Sequence, residues 1–111
     1  MRKYLIACLA LFSLGLSALA NAEDFRLTIH NKTGYDIHYI YLSPPDSEDW
    51  EEDVLGSSIL RDGHSQPIDI SGYDNPIFDI RVVDEDHDDY VFWKHNVRRH
   101  DSLTVTLDDL N

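Results

Sequence analysis

Five carboxylates and one imidazole fall within six consecutive residues, Asp84-Glu85-Asp86-His87-Asp88-Asp89. The alternate members Asp84, Asp86 and Asp88 offer hard oxygen donors of the kind Ca²⁺ takes. A bound ion would relieve a repulsion of about 0.7 kcal/mol for each pair of charges roughly 6 Å apart in water. The match to an EF-hand loop fails at two places: counting from Asp84, position six is Asp89 rather than Gly, and position twelve is His95 rather than Glu. The run therefore has two readings, a solvated turn and a weak calcium site with Asp84, Asp86 and Asp88 as its ligands.

A second acidic stretch holds Asp46, Glu48, Asp49, Glu51, Glu52 and Asp53. Asp49 and Glu52 have the spacing of a capping box, and Gly56 suits a C-terminal stop, so a short helix is predicted near Trp50–Leu55. Trp50 and Val54, four apart, would share a face and plug one end of the sheets. If the fold joins the two acidic stretches, they form one surface for a cation or a basic partner. All six histidines lie beyond residue 22, and none pairs at the spacing of a zinc helix motif. His95 and His100, with His87 across a hairpin, are candidate zinc or copper ligands, against a reading of scattered surface histidines. No phosphate-cradling glycine loop or G-x-S-x-G elbow occurs, and abundance of acids is not a site, so catalysis is not expected.

The elements that position these groups are strands. Phe25, Leu27 and Ile29 alternate with polar residues, as do Ile37, Tyr39 and Tyr41. Asn31-Lys32-Thr33-Gly34 between them supplies the chemistry of a hairpin turn. The same triplet matches a glycosylation sequon, and it is read here as a turn. Pro44-Pro45 ends the second strand; Ser65–Ile70 is a strand whose Pro67 marks an edge. Phe78, Ile80 and Val82 alternate before the acidic tip, Tyr90–Trp93 returns with apolar residues on both faces, and Ser102–Leu107 closes the chain with Leu103, Val105 and Leu107 on one side. The expected fold is all-β, an antiparallel β-sandwich of about six to eight short strands.

Met1-Arg2-Lys3, an apolar run from Tyr4 to Ala20, and the small residues before Glu23 have the form of a secretory signal peptide cleaved after Ala22. No basic flank follows the run, so a stable membrane anchor is not expected. The organisation is then a signal peptide over 1–22 and one domain over 23–111. Removing 1–22 from 111 residues leaves 89, takes away Arg2 and Lys3, and moves the net charge from −12 to −14. It also removes Cys8, the chain's one cysteine, so packing alone must stabilise the domain. Such a charge disfavours nucleic acid and anionic lipid surfaces and favours cations and basic proteins.

Four stretches, Asn31-Lys32-Thr33-Gly34, Trp50-Glu51-Glu52-Asp53-Val54-Leu55-Gly56, Leu60-x-x-Gly63-x-Ser65 and Phe78-Asp79-Ile80-Arg81-Val82-Val83-Asp84, resemble a family of small exported bacterial β-sandwich proteins whose function is not established. Some members carry the name argininosuccinate lyase; that lyase is a much longer helical enzyme, and its activity is not expected here. In the family a Gly often sits in the turn after the Phe78 strand, where this chain has His87-Asp88. The resemblance implies export and a β-sandwich. The functional expectation is a periplasmic or secreted non-enzymatic binding module whose acidic loops contact a basic protein or a divalent cation, with no cofactor unless Ca²⁺ binds. The alternative is an accessory subunit that docks through an exposed strand edge.

Overall fold

The computed structural model describes residues 23–111, so the expected signal peptide and its cleavage site lie outside the described residues. Six strands follow in order: β1 Glu23–Lys32, β2 Ile37–Ser43, β3 Ser65–Tyr73, β4 Ile77–Asp84, β5 Asp89–Asn96 and β6 Ser102–Thr106. They form two three-stranded sheets, β3-β1-β6 and β2-β4-β5. Side chains alternate across each strand, so each sheet has one apolar face, and the two faces close on one another. Leu27, Ile29, Ile68 and Val105 come from the first sheet; Ile40, Phe78, Ile80, Val82 and Tyr90 come from the second, and all belong to one buried cluster. Phe78 joins the layers, meeting Phe25 edge-on at 6.5 Å and Tyr73 at 5.0 Å between ring centroids.

Three expectations change. First, β1 and β2 are not a hairpin, because they belong to different sheets. β1 already has β3 and β6 as neighbours, and residues 33–36 carry the chain from one layer to the other, with Gly34 at φ 89°. Second, the sandwich is not wholly antiparallel: β6 runs parallel to β1, from Thr28 opposite Ser102 to Lys32 opposite Thr106. Leu103 and Val105 face the core, but Leu107 leaves the strand for a 3-10 turn, Leu107–Asp109, and is 48% exposed.

Third, the helix predicted near Trp50–Leu55 is absent. That segment runs along the outer edge of β2 instead, through bridges Tyr41–Asp53 and Ile37–Leu60. The Asp53 carboxylate accepts from the Ile40 and Leu55 N–H groups at 2.8 and 3.1 Å, and Val54 N–H donates to the Ile40 carbonyl at 2.7 Å. A helix of this length would form few internal bonds after a costly nucleation, whereas pairing satisfies the open edge of β2 as well. Pro67 sits on β3, at the margin of its sheet as expected.

Candidate functional site

The β4–β5 hairpin places the acidic tip, and its first carboxylate points inward. Asp84 is 2% exposed; its Oδ1 accepts from the Asp86 and Asp88 N–H groups at 2.9 and 3.0 Å, and its Oδ2 accepts from the Tyr90 hydroxyl at 2.8 Å. Burial first, then the hydrogen bond to Asp84 and its charge, hold the Tyr90 phenol well above its ordinary 10.0, with Thr33 acting weakly the other way. Glu85 and Asp36 clasp each other, Glu85 N–H to the Asp36 carbonyl and Asp36 N–H to Glu85 Oε2, both at 2.8 Å. Asp89 pairs with Arg81 at 3.2 Å. Asp86 and Asp88 remain exposed, and neither has an ion pair among the described residues.

The three expected metal ligands do come together, with one oxygen from each of Asp84, Asp86 and Asp88 within 4.8 Å of the others. The fit to calcium is poor, because Ca²⁺ takes about 6–8 oxygens and Asp84 already accepts three hydrogen bonds. His87 stands at φ 69°, a backbone that L side chains adopt at a cost. His87→Gly is expected to stabilise the domain by about 0.5–1 kcal/mol, the left-handed strain removed less the extra chain entropy of Gly. Thermal melting checks it, and a lower melting temperature would contradict this account of the turn.

The two acidic stretches do not form one surface. β2 pairs with β4 so that Ile37 stands opposite Asp84 and Ser43 opposite Asp79, which puts the tip at one end of the sheet and residues 46–51 at the other. The second stretch is tied down by Glu51 N–H on Ser43 Oγ at 2.8 Å and by the Tyr73 hydroxyl on Glu51 Oε1 at 2.9 Å. That bond, and then burial, raise the Tyr73 pKa. The tip instead gains the 3-10 turn with Asp108 and Asp109, since Asn111 N–H reaches the Asp89 carbonyl at 2.9 Å.

Histidine positions favour structure. His95 Nε2 bonds to the His100 carbonyl at 2.8 Å, and the two rings are 6.1 Å apart. Among the described residues, the groups placed to hold a metal comprise the three aspartates and no histidine. His30, whose role was not legible, links Ser65 Oγ of β3 to Ser102 Oγ of β6 and so staples all three strands of its sheet. The local sequence could not show it, since both partners are distant and one pairing is parallel.

The outer face of the second sheet carries Tyr39 and Tyr41, stacked at 6.1 Å, with the Arg81 guanidinium 5.8 Å from the Tyr41 ring. The ambiguity on β5 resolves there: Tyr90 and Phe92 pack inward, while Trp93 turns out and is 67% exposed. Beside Asp79 the β4–β5 register slips between Phe78 and Ile80, and Lys94 takes φ 54° as its N–H bonds Asp79 Oδ1 at 2.8 Å. Trp50 reaches across to Trp93, with ring centroids 6.0 Å apart and planes 30° from parallel. A cleft of about 120 Å³ lies there, lined by Trp50, Trp93, Asp79, Glu48 and Asp49 with Ser43 and Ser47. Residues 48, 50, 79 and 93 are joined only by the tertiary fold.

Comparison with protein-family models, curated proteins and solved structures gives no match.

Proposed function

We propose that the protein is a non-enzymatic binding module, exported to the periplasm or beyond the cell, whose acidic loops engage a basic protein partner. One observation carries this reading: Asp86 and Asp88 are exposed at the tip without an ion pair among the described residues, while Arg81 pairs with Asp89 at 3.2 Å and Arg61 with Asp36 at 3.6 Å. The 21 acidic residues against 7 basic ones in residues 23–111 extend the same field over the surface. A divalent cation is the alternative ligand of the tip, weakened by the hydrogen bonds that already hold Asp84. Titration with a lysine- and arginine-rich peptide tests the proposal. Binding is expected to weaken at least about tenfold between low and high salt, and again in the Asp86→Asn/Asp88→Asn variant. Binding indifferent to both changes would remove the acidic tip from the partner interface.

A second reading, docking by strand addition, rests on β5. This strand is the margin of its sheet, and among the described residues the C-terminal segment pairs with it at Asp89 and Tyr90. A shallow groove of about 690 Å³ runs beside it, lined by Val91, Trp93, Lys94, Arg99 and His100 among others. Salt-independent binding would favour that reading.

A further inference from the structure

We propose that the Trp50–Trp93 cleft is a binding site for the arginine side chain of a partner polypeptide. Asp79 is 9% exposed and lines the cleft, yet only its Oδ1 has a partner, the Lys94 N–H, and its Oδ2 has none among the described residues. A carboxylate oxygen that lines a cleft, on a residue only 9% exposed and without a donor among the described residues, is open to a ligand that brings one. The walls say which ligand. Two indoles line the cleft, one of them 67% exposed, so aromatic surface is available to a planar cation, and the exposed Glu48 and Asp49 add negative charge. Guanidinium meets both demands, because it stacks on aromatic rings and donates in a fixed planar fork.

Size and position narrow the choice further. A volume of about 120 Å³ is far below the roughly 300–1,000 Å³ of sites for drug-sized ligands, and suits one side chain. Trp93 belongs to the uncovered part of β5, so an extended segment lying along that edge would present its side chains to the cleft. The Lys94 ammonium, a nearby cation of the protein itself, makes no ion pair with Asp79. The site is separate from the tip, at the far end of β4 from Asp84.

The test follows indole fluorescence of the exported protein during titration with N-acetylarginine amide, N-acetylcitrulline amide and a methyl glycoside. Saturable binding of the arginine amide is expected, with the neutral isostere citrulline at least about tenfold weaker. Asp79→Asn keeps an acceptor for Lys94 N–H and so preserves the bulge; it is expected to lose about the same factor. Trp93→Ala, at an exposed position, abolishes the signal from that ring and must also lower affinity measured by calorimetry. Lys94→Ala and Asp86→Asn/Asp88→Asn leave arginine amide affinity unchanged, which separates this site from the tip. Equal binding of citrulline amide, preference for the glycoside, or unaltered affinity in both Asp79→Asn and Trp93→Ala would overturn the proposal.

Discussion

Asp84→Ala is expected to destabilise the domain by about 3–5 kcal/mol, a large share of the roughly 5–15 kcal/mol that holds a domain together. The change removes the acceptor of two tip N–H groups and of the buried Tyr90 hydroxyl at once. The Tyr90 hydroxyl is then left without a partner in the buried interior, and the two tip N–H groups lose the acceptor that shapes the turn. In a domain of this size the melting temperature should fall by more than about 12 °C. Asp84→Asn is the informative control: its remaining oxygen still serves Asp86 and Asp88, and the Tyr90 hydroxyl can rotate to accept from the new amide, so about 1–2 kcal/mol is expected. Equal losses in the two variants would mean that the charge, not the hydrogen-bond pattern, is what the site needs.

The same contact sets an alkaline limit. Because the folded protein holds the Tyr90 proton more tightly than the unfolded chain does, the contribution is complete below the ordinary phenol pKa of 10.0. Above that pH the unfolded chain releases the proton first, so stability is lost as pH rises toward the elevated folded value. Tyr90→Phe should flatten that alkaline slope while costing stability at neutral pH, where Asp84 Oδ2 loses its donor. Denaturant unfolding measured from pH 8 upward checks both parts.

Asn31→Ala is expected to cost about 3–4 kcal/mol by urea unfolding. Asn31 is fully buried, and its amide meets four partners: Nδ2 donates to the Tyr35 and Leu60 carbonyls at 2.7 and 2.9 Å, while Oδ1 accepts from Thr33 N–H and Oγ1 at 3.1 and 2.8 Å. This side chain fixes the passage from one sheet to the other and ties it to Leu60, which itself bridges Ile37. Asn31→Asp is not conservative here, because an acceptor-only carboxylate would face two carbonyls; it should unfold at lower urea than Asn31→Ala. The reverse order would show that the two carbonyl contacts matter little. The glycosylation match is also explained: the triplet is present because the turn needs it, and in the folded chain both Nδ2 hydrogens are engaged.

The residues near Asp84 show where local reading stops. Period-two alternation in Phe78, Ile80 and Val82 reports which face of a strand avoids water, and all three are in the core. The same phase carries Asp84 onto that inward face, but its charge makes it look like the first of a run of surface acids. Its burial is supported by the Tyr90 hydroxyl, which reaches it from the residue paired with Val82, and that follows from the register of the hairpin. Likewise Asp49, Glu52 and Gly56 satisfy a local rule for a helix, but the open edge of β2 offers the same backbone more hydrogen bonds. A local rule cannot weigh a partner that the chain supplies ten or more residues away.

What the sequence determined by itself is therefore the all-β class, most strand positions, the inward residues of β1, β4 and β6, the edge placement of Pro67 and the acidity of the tip. These depend on short-range patterns of side-chain polarity, which act within each strand. Tertiary structure decided which strands share a sheet, the parallel β1–β6 pair, the hydrogen bonds that hold Asp84 inside, the separation of the two acidic stretches and the meeting of Trp50, Trp93 and Asp79. Those features depend on which distant segments compete for the same sheet edge, and side-chain alternation carries no record of the winner.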